Sequence, residues 1–231
     1  MSRELKKDFD ELISSFSQYT LKSVFEDTEN LGKFSMMHKR YYSFMCLVYC
    51  LHHLSKNKIN ASSMARLKES SSDLGTSMFL VINGAYKPAN LMMRSCIENF
   101  IKSVGCLFDE SILEEKSLFK VIERTGAHPV LGKNPKLYEV LKTEYSSLCS
   151  YVHTATEKEM VHVKALNVFP KVDPAKVDML SGIIDKVIKS MIMICIFINN
   201  DTFFSFASEY REKILISLSP TQRAVLHSAD H

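Results

Sequence analysis

The sequence predicts an all-α fold, a bundle of seven to nine helices, and three observations carry that reading. Turn-formers are scarce, with 7 Gly and 6 Pro in 231 residues, while 12 Met and 14 Phe supply long apolar side chains. Apolar residues recur three and four apart through most of the chain, the spacing of buried helix faces. The interruptions carry capping residues such as Asn60, Asn83, Gly84 and Asp173. With 46% hydrophobic and 24% charged residues the chain can bury a real core. Its length suits one helical domain over 1–231, with a bundle core at about 34–200 and C-terminal helices over 202–228.

Residues 3–26 carry Leu5, Phe9, Leu12, Ile13, Phe16, Tyr19 and Leu21 at roughly helical spacing, and the polar stretch 26–33, with Gly32, reads as a connection. Phe34 to Leu54 is apolar on most sides and is expected at the centre of the bundle. A loop at Lys56–Asn60 precedes a helix from Ser63 to Ile82, with Asn60 as its cap, a polar first half and a Ser-rich patch at Ser70–Ser72. Asn83 and Gly84 close it.

The helix from Tyr86 to Phe108 follows, and it organises the rest. Its buried face reads Tyr86, Ala89, Met93, Ile97, Phe100, Ile101, Val104 and Phe108, with Pro88 in the first turn. Asn90, Arg94, Glu98 and Lys102 form a polar stripe on another side at i, i+4 spacing. Asp109–Glu123 reads as a short amphipathic helix, Arg124–Pro135 as the clearest loop, and Lys136–His153 as the next helix. Thr154–Pro174 lacks helical period, and its β-formers predict one short β-hairpin or extended arm near 158–170. Asp173 and Pro174 start a long helix to Ile198, whose last turns are apolar all round, as in a bundle centre or a subunit contact. Asp201 is expected to cap Phe203–Ser217, and Ser219 with Pro220 to start a last short helix.

A formal charge of +3, with acids and bases interspersed, shows no electrostatic footprint for nucleic acid. The six cysteines lack CxxC spacing and sit mostly in apolar helical runs, which fits free thiols in a reducing compartment. The first eight residues have no apolar core and do not read as a signal peptide. The most apolar run, Met191–Ile198, is far short of a membrane span. The expectation is a cytoplasmic protein that needs no membrane.

Cys46, Cys50 and His53 share one helical face, but nothing near them in sequence completes a zinc site, and two core cysteines beside a polar histidine is the better reading. Cys149 and His153, one turn apart, lack a thiol-hydrolase context. The glycines make no phosphate-cradling pattern, and Glu114 with Glu115 reads as a solvated face. No cofactor and no metal are expected. Arg94 and Glu98 stand out, because an Arg-before-Glu order is the weaker helical ion pair and stability alone explains it poorly. The stretch Tyr145–His153 adds a tyrosine, a Ser-rich turn and a histidine to a helix suited to pack beside the first.

The segment with Ala89, Arg94, Ser95 and Glu98, followed about fifty residues on by Tyr145, Leu148, Cys149, Ser150 and His153, resembles HEPN-like helical proteins. It is most similar to the bacterial stand-alone, abortive-infection type. The resemblance implies a helical bundle, a homodimer formed through an apolar helix, and a metal-independent ribonuclease of antiphage defence or toxin systems, with RNA or a nucleotide as ligand. It implies catalytic roles for Arg94 on a phosphate, His153 as general acid or base, Glu98 in orienting Arg94 or the histidine, and Tyr145 in adding a hydrogen bond. The chain departs from that family in placing Arg94 and His153 on separate helices. Arg124 to His128 and Arg223 to His227 have spacers shorter than the family's compact motif. That departure leaves a second expectation, a non-catalytic interaction or regulatory subunit of a multi-protein defence complex with a protein partner encoded nearby.

Overall fold

The computed structural model of the chain describes residues 3–54, 59–153 and 169–228, without the side chains of Val152, His153, His227 and Ser228. All regular structure among these residues is helical. The elements are α1 (Arg3–Ser17), α2 (Lys22–Glu26), α3 (Thr28–His53), α4 (Ala61–Ile82), α5 (Tyr86–Cys106), α6 (Leu118–Gly126), α7 (Pro129–Lys133), α8 (Pro135–His153), α9 (Pro174–Ile198), α10 (Asn200–Phe204), α11 (Ser208–Leu215) and α12 (Pro220–Ser228), with a 3₁₀ turn at Glu110–Leu113. Nine of the helices run eight residues or more. The expected hairpin or arm near 158–170 lies, apart from its last two residues, outside the described residues.

Five long helices close a ring in which α3 packs on α4, α4 on α5, α5 on α8, α8 on α9 and α9 back on α3. One hydrophobic core runs through them, from Val24 to Leu226. The all-apolar end of α9 lies within it, with Met191 to Ile196 buried and Phe197 and Ile198 half-buried, as expected of a bundle centre.

The tightest contact is between α4 and α5. Asn60 caps α4 by accepting from Ser63 N at 2.7 Å, and its Nδ2 donates to Cys106 O at 2.9 Å. Ser63 Oγ donates to Ser103 O at 2.7 Å, and Ser103 Oγ returns a bond to Ser63 O at 2.8 Å. One heptad on, Ser70 Oγ donates to Cys96 O at 2.8 Å. A further heptad on, Ser77 Oγ donates to Ala89 O at 2.9 Å. The two antiparallel helices thus hold one register throughout, because each small side chain lets the backbones approach and carries its own donor across the gap. Most of the α4 serines are therefore interior: Ser63, Ser70, Ser71 and Ser77 are buried, while Ser72 stays exposed.

The turn between these helices is a Schellman motif. Ala85 N bonds Leu80 O at 2.8 Å and Gly84 N bonds Val81 O at 3.0 Å. Gly84 sits at φ +75° with backbone of Lys171 against its Cα, so both conformation and space call for glycine.

Several boundaries differ from expectation, each for a local reason. The expected connection at 26–33 shrinks to Asp27, and residues 28–33 are helix, because Asp27 caps α3 by accepting from Glu29 N and Asn30 N at 3.0 and 3.1 Å. Asp109–Glu123 is two pieces: Asp109 caps the 3₁₀ turn through Ser111 N, and α6 begins at Leu118. The expected loop Arg124–Pro135 holds the end of α6 and the short α7, started by Pro129. Helix α5 ends at Cys106, and Phe108 stacks on His128 with ring centroids 3.3 Å apart instead of joining the buried face. Asp201 lies inside α10, and Ser205–Ala207 separates α10 from α11. The caps expected at Asp173 and Ser219 are present. Asp173 accepts from Ala175 N and Lys176 N, while Ser219 and Gln222 exchange bonds in a capping box that opens α12.

Across α3 and α9, Arg40 Nε and Nη2 both reach Asp185 Oδ1 at 2.6 Å, and Lys189 Nζ reaches Oδ2 at 2.7 Å. Burial alone would push the Asp185 carboxyl up, but the bonds from Lys189 and Arg40 together outweigh it and hold the group below its ordinary value of 3.8.

Three expected outcomes follow from these contacts. Ser70→Ala removes one donor to a carbonyl that keeps its helical bond and should cost about 1 kcal/mol in urea unfolding. Ser70→Leu must force α4 from α5 and should cost about 1–3 kcal/mol. A Ser70→Leu protein as stable as wild type would refute the close-packed ladder. Because the folded Asp185 value is depressed, its contribution is full above the ordinary carboxylate value and is lost as pH falls through the folded one. The stability gap between wild type and Asp185→Asn should therefore narrow from pH 6 to below about pH 4 in matched urea titrations.

Candidate functional site

The helical repeat sets where Arg94 points. Two residues from the ladder position Cys96, it lies about 200° around α5 and so faces away from α4, toward α8. There Arg94 Nε donates to Tyr145 Oη at 3.2 Å, with the guanidinium carbon 5.5 Å from the ring centroid. The pair joins the two segments singled out in the sequence. The bond to Tyr145 holds the Arg94 guanidinium above its ordinary value, against partial burial, and Cys149 and Glu98 add to the effect. Burial pushes the Tyr145 phenol up; Arg94 opposes this and Cys149 reinforces it, so the group stays a protonated donor at neutral pH.

Of the two expected roles of Glu98, orienting the histidine lies outside the described residues, and a hydrogen bond to Arg94 is not made. Glu98 Oε1 takes Lys102 Nζ at 2.8 Å, not the guanidinium. Glu four residues before Lys is the favoured helical orientation and Arg before Glu the weaker one, so the carboxylate turns toward the C-terminal partner. Glu98 acts on Arg94 through space only.

The contacts Thr125 against Gly105 and Tyr138 against Gly126 set the start of α8 beside the end of α5, so the two helices run antiparallel. His153, the last residue of α8, stands two turns beyond Tyr145, about 12 Å along the axis, level with the N-terminal end of α5. Its imidazole lies outside the described residues. The Arg94 side chain leans toward that same end, as helix side chains do.

Asn90 lies one turn before Arg94 on the same stripe. It is 4% exposed, and its Oδ1 has no hydrogen-bond partner among the described residues. A buried acceptor left open costs about 1–3 kcal/mol, so this atom calls for an account. Sequence spacing put Asn90 on the stripe but gave no sign that it is buried.

Two further clusters were not legible in the sequence. On the flank of the ladder, Arg66 Nη1 donates to Asn99 Oδ1 at 3.0 Å and Asn99 Nδ2 to Asp73 Oδ2 at 2.9 Å, a chain of satisfied polar groups that fixes the helix pair. Between α3 and α11 an open groove of about 360 Å³ is lined by Tyr41, Tyr42, Tyr49 and Tyr210, with Met45 and Lys213. Lys213 is engaged by Glu209 and sits over the Tyr210 ring. This groove shares no residue with the Arg94 site.

No group of three His, Cys, Asp or Glu able to hold a metal occurs among the described residues, and no helix is long and apolar enough to cross a membrane. Cys46 and Cys50 lie in the core region as free thiols, and burial, with a smaller contribution from Cys46, pushes Cys50 up to about 11. The thiol of Cys96, on the ladder, is pushed up to about 12, chiefly by burial. Comparison with protein-family models, curated proteins and solved structures gives no match to this chain.

Tyr145→Phe keeps the ring and removes the acceptor of Arg94 Nε, so it should lower unfolding stability by roughly 1–2 kcal/mol. In a double-mutant cycle with Arg94→Met, the coupling should account for most of that loss. Fully additive effects would mean the two side chains do not interact.

Proposed function

We propose that the chain acts on RNA as a metal-independent endoribonuclease of the antiphage-defence or toxin type, with its site between α5 and α8. The observation that carries the reading is a guanidinium held at Nε by Tyr145, across the two segments singled out in the sequence. Among the described residues the Nε bond to Tyr145 is the hydrogen bond Arg94 makes, which leaves its terminal nitrogens for a phosphate in the two-point geometry guanidinium favours. The substrate class comes from the resemblance of the Ala89–Glu98 and Tyr145–His153 segments to HEPN-like proteins.

In this mechanism His153 takes the proton from the ribose 2′-hydroxyl, the 2′-oxygen bonds phosphorus, and the P–O5′ bond breaks as the leaving oxygen takes a proton from water. The products are a 2′,3′-cyclic phosphate and a 5′-hydroxyl. Arg94 stabilises the charge that builds on the phosphoryl oxygens, and protonated Tyr145 keeps the guanidinium in place. Glu98, bound to Lys102, contributes field and not orientation at Arg94.

A second reading is favoured by the same bond. Arg94 and Tyr145 tie α5 to α8, as a structural pair in a non-catalytic regulatory subunit of a defence complex would.

Purified protein incubated with tRNA and total RNA in EDTA should yield cyclic-phosphate ends. Arg94→Ala and His153→Ala should each lower the rate by about two orders of magnitude, the loss typical of one charge-stabilising donor or one general base. Equal background cleavage by all three proteins ends the enzyme reading. Loss of activity together with a large fall in the melting temperature of Arg94→Ala favours the structural one.

A further inference from the structure

Helix α3 is apolar on most sides, and the bundle covers only part of them. His38, Tyr41, Tyr42, Met45 and Tyr49 fall at i, i+3, i+4, i+7 and i+11, one side of that helix, and form a wall of the groove shared with α11. Tyr210 and Lys213 form the other wall. Both walls are fixed by packing. Ser43 Oγ donates to Lys213 O at 3.0 Å, and Ser217 Oγ donates to Ser43 Oγ at 2.7 Å, which pins the end of α11 to α3. Tyr41 in turn packs on Gly75 of α4, where an added Cβ would come 3.2 Å from its ring. The groove is thus formed before any ligand arrives, as small-molecule sites generally are.

Its rings and charges narrow what it can hold. Tyr49 and Tyr210, from the two walls, have ring centroids 6.5 Å apart with planes 30° from parallel, and His38 with Tyr42 repeats the arrangement at 6.5 Å and 27°. Face to face, rings so spaced leave a slot about one ring thick; side by side, they make a floor two rings wide. Either arrangement suits a flat aromatic ring. The Lys213 ammonium already stands 5.6 Å from the Tyr210 centroid, where a ligand cation would otherwise sit, so a cation meets like charge there. An anion meets a base that Glu209 already neutralises. The adjoining cavity shares Tyr42 and Lys213 and adds Arg223, Glu209 and Glu212, two bases against two acids. That balance favours an uncharged ligand. The hydroxyls of Tyr49 and Tyr210 make no hydrogen bond to another described residue, so they are free to meet heteroatoms at a ring edge.

We propose that the groove between α3 and α11 binds a flat, uncharged heteroaromatic ring of nucleobase size, stacked on Tyr49 and Tyr210. Its volume of about 360 Å³ lies at the small end of ligand sites, and the adjoining cavity of about 630 Å³ leaves room for a sugar. Stacking of this kind tolerates any base, because every base has a π-face. A free nucleoside and an unpaired base of a single strand present the same ring to it. The groove shares no residue with the Arg94 site, and the inference stands whether or not the protein cleaves RNA.

Saturation-transfer NMR on the full chain, with adenosine and uridine as probes, should show stronger transfer to base protons than to ribose protons, with the base protons shifted upfield by the tyrosine rings. Tyr49→Ala, at a side chain 51% exposed, should keep the wild-type melting temperature and weaken adenosine binding about tenfold, the effect of one lost base–aromatic stack. Tyr49→Phe keeps the ring and should stay within about threefold of wild type. Arg94→Ala should bind adenosine as wild type does, which places the ring in this groove and not between α5 and α8. A short oligodeoxyadenylate, which lacks the 2′-hydroxyl needed for the cleavage proposed above, separates the two sources. Binding much tighter than that of adenosine and lost in Tyr49→Ala assigns the groove to a single strand; equal affinity assigns it to a free nucleoside. The proposal is overturned if neither nucleoside binds at millimolar concentration, if Tyr49→Ala binds adenosine as wild type does, or if tetramethylammonium displaces adenosine from the groove.

Discussion

The contact on which this molecule depends is the close approach of α4 and α5, held by serine hydroxyls that bond backbone carbonyls across the interface at seven-residue intervals. A serine in a helix interface is favourable only if its hydroxyl is satisfied, and a carbonyl of the facing helix is within reach only when the backbones come unusually near. Each condition enforces the other. Ser63, Ser70 and Ser77 supply both the small volume and the donor, and Ser103 returns the bond at one end. Any larger residue at these positions would separate the helices and leave the remaining hydroxyls without acceptors.

From that register the rest of the bundle follows. Once Ala89, Cys96 and Ser103 face α4, the helical repeat turns Arg94 toward α8, and Asn90 sits behind it in the interior. The Asp185 ion cluster then fixes α9 against α3, and Tyr86 receives Asp173 N at 2.6 Å, tying the first turn of α5 to the start of α9. The candidate site is therefore not a loop constellation on a scaffold. It is a consequence of how two helices phase, and its geometry is as rigid as the helix packing that creates it.

Much of the helical plan was open to reading because helix ends write themselves in local chemistry. Asn60, Asp173, Ser219 and Gly84 do locally what their residue types predict. The boundaries that differed were decided elsewhere. Gly32 and its polar neighbours look like a connection until Asp27 caps them into α3, and the segment after Asp201 breaks where Phe203 and Phe206 turn into the core. The burial of Ser70 and Ser71 in the Ser-rich patch was not legible in the sequence. Polar residues read as surface by hydropathy, and only a facing backbone at hydrogen-bond distance makes them interior. The site shows the same division: the stripe Asn90, Arg94, Glu98 and Lys102 followed from spacing, but the partner of each did not.

The sequence by itself determined the all-helical class, the place of most caps and the two segments that carry Arg94 and Tyr145, because periodicity and capping depend on residues within a few turns of each other. The tertiary structure alone decided that the serines are buried, that Glu98 turns to Lys102, that Asn90 is left with an open acceptor, and that the stripe of α1 stays at the surface while α9 is enclosed. Those outcomes depend on which faces meet across dozens of residues of chain, and a one-dimensional pattern does not encode the distance between two helices.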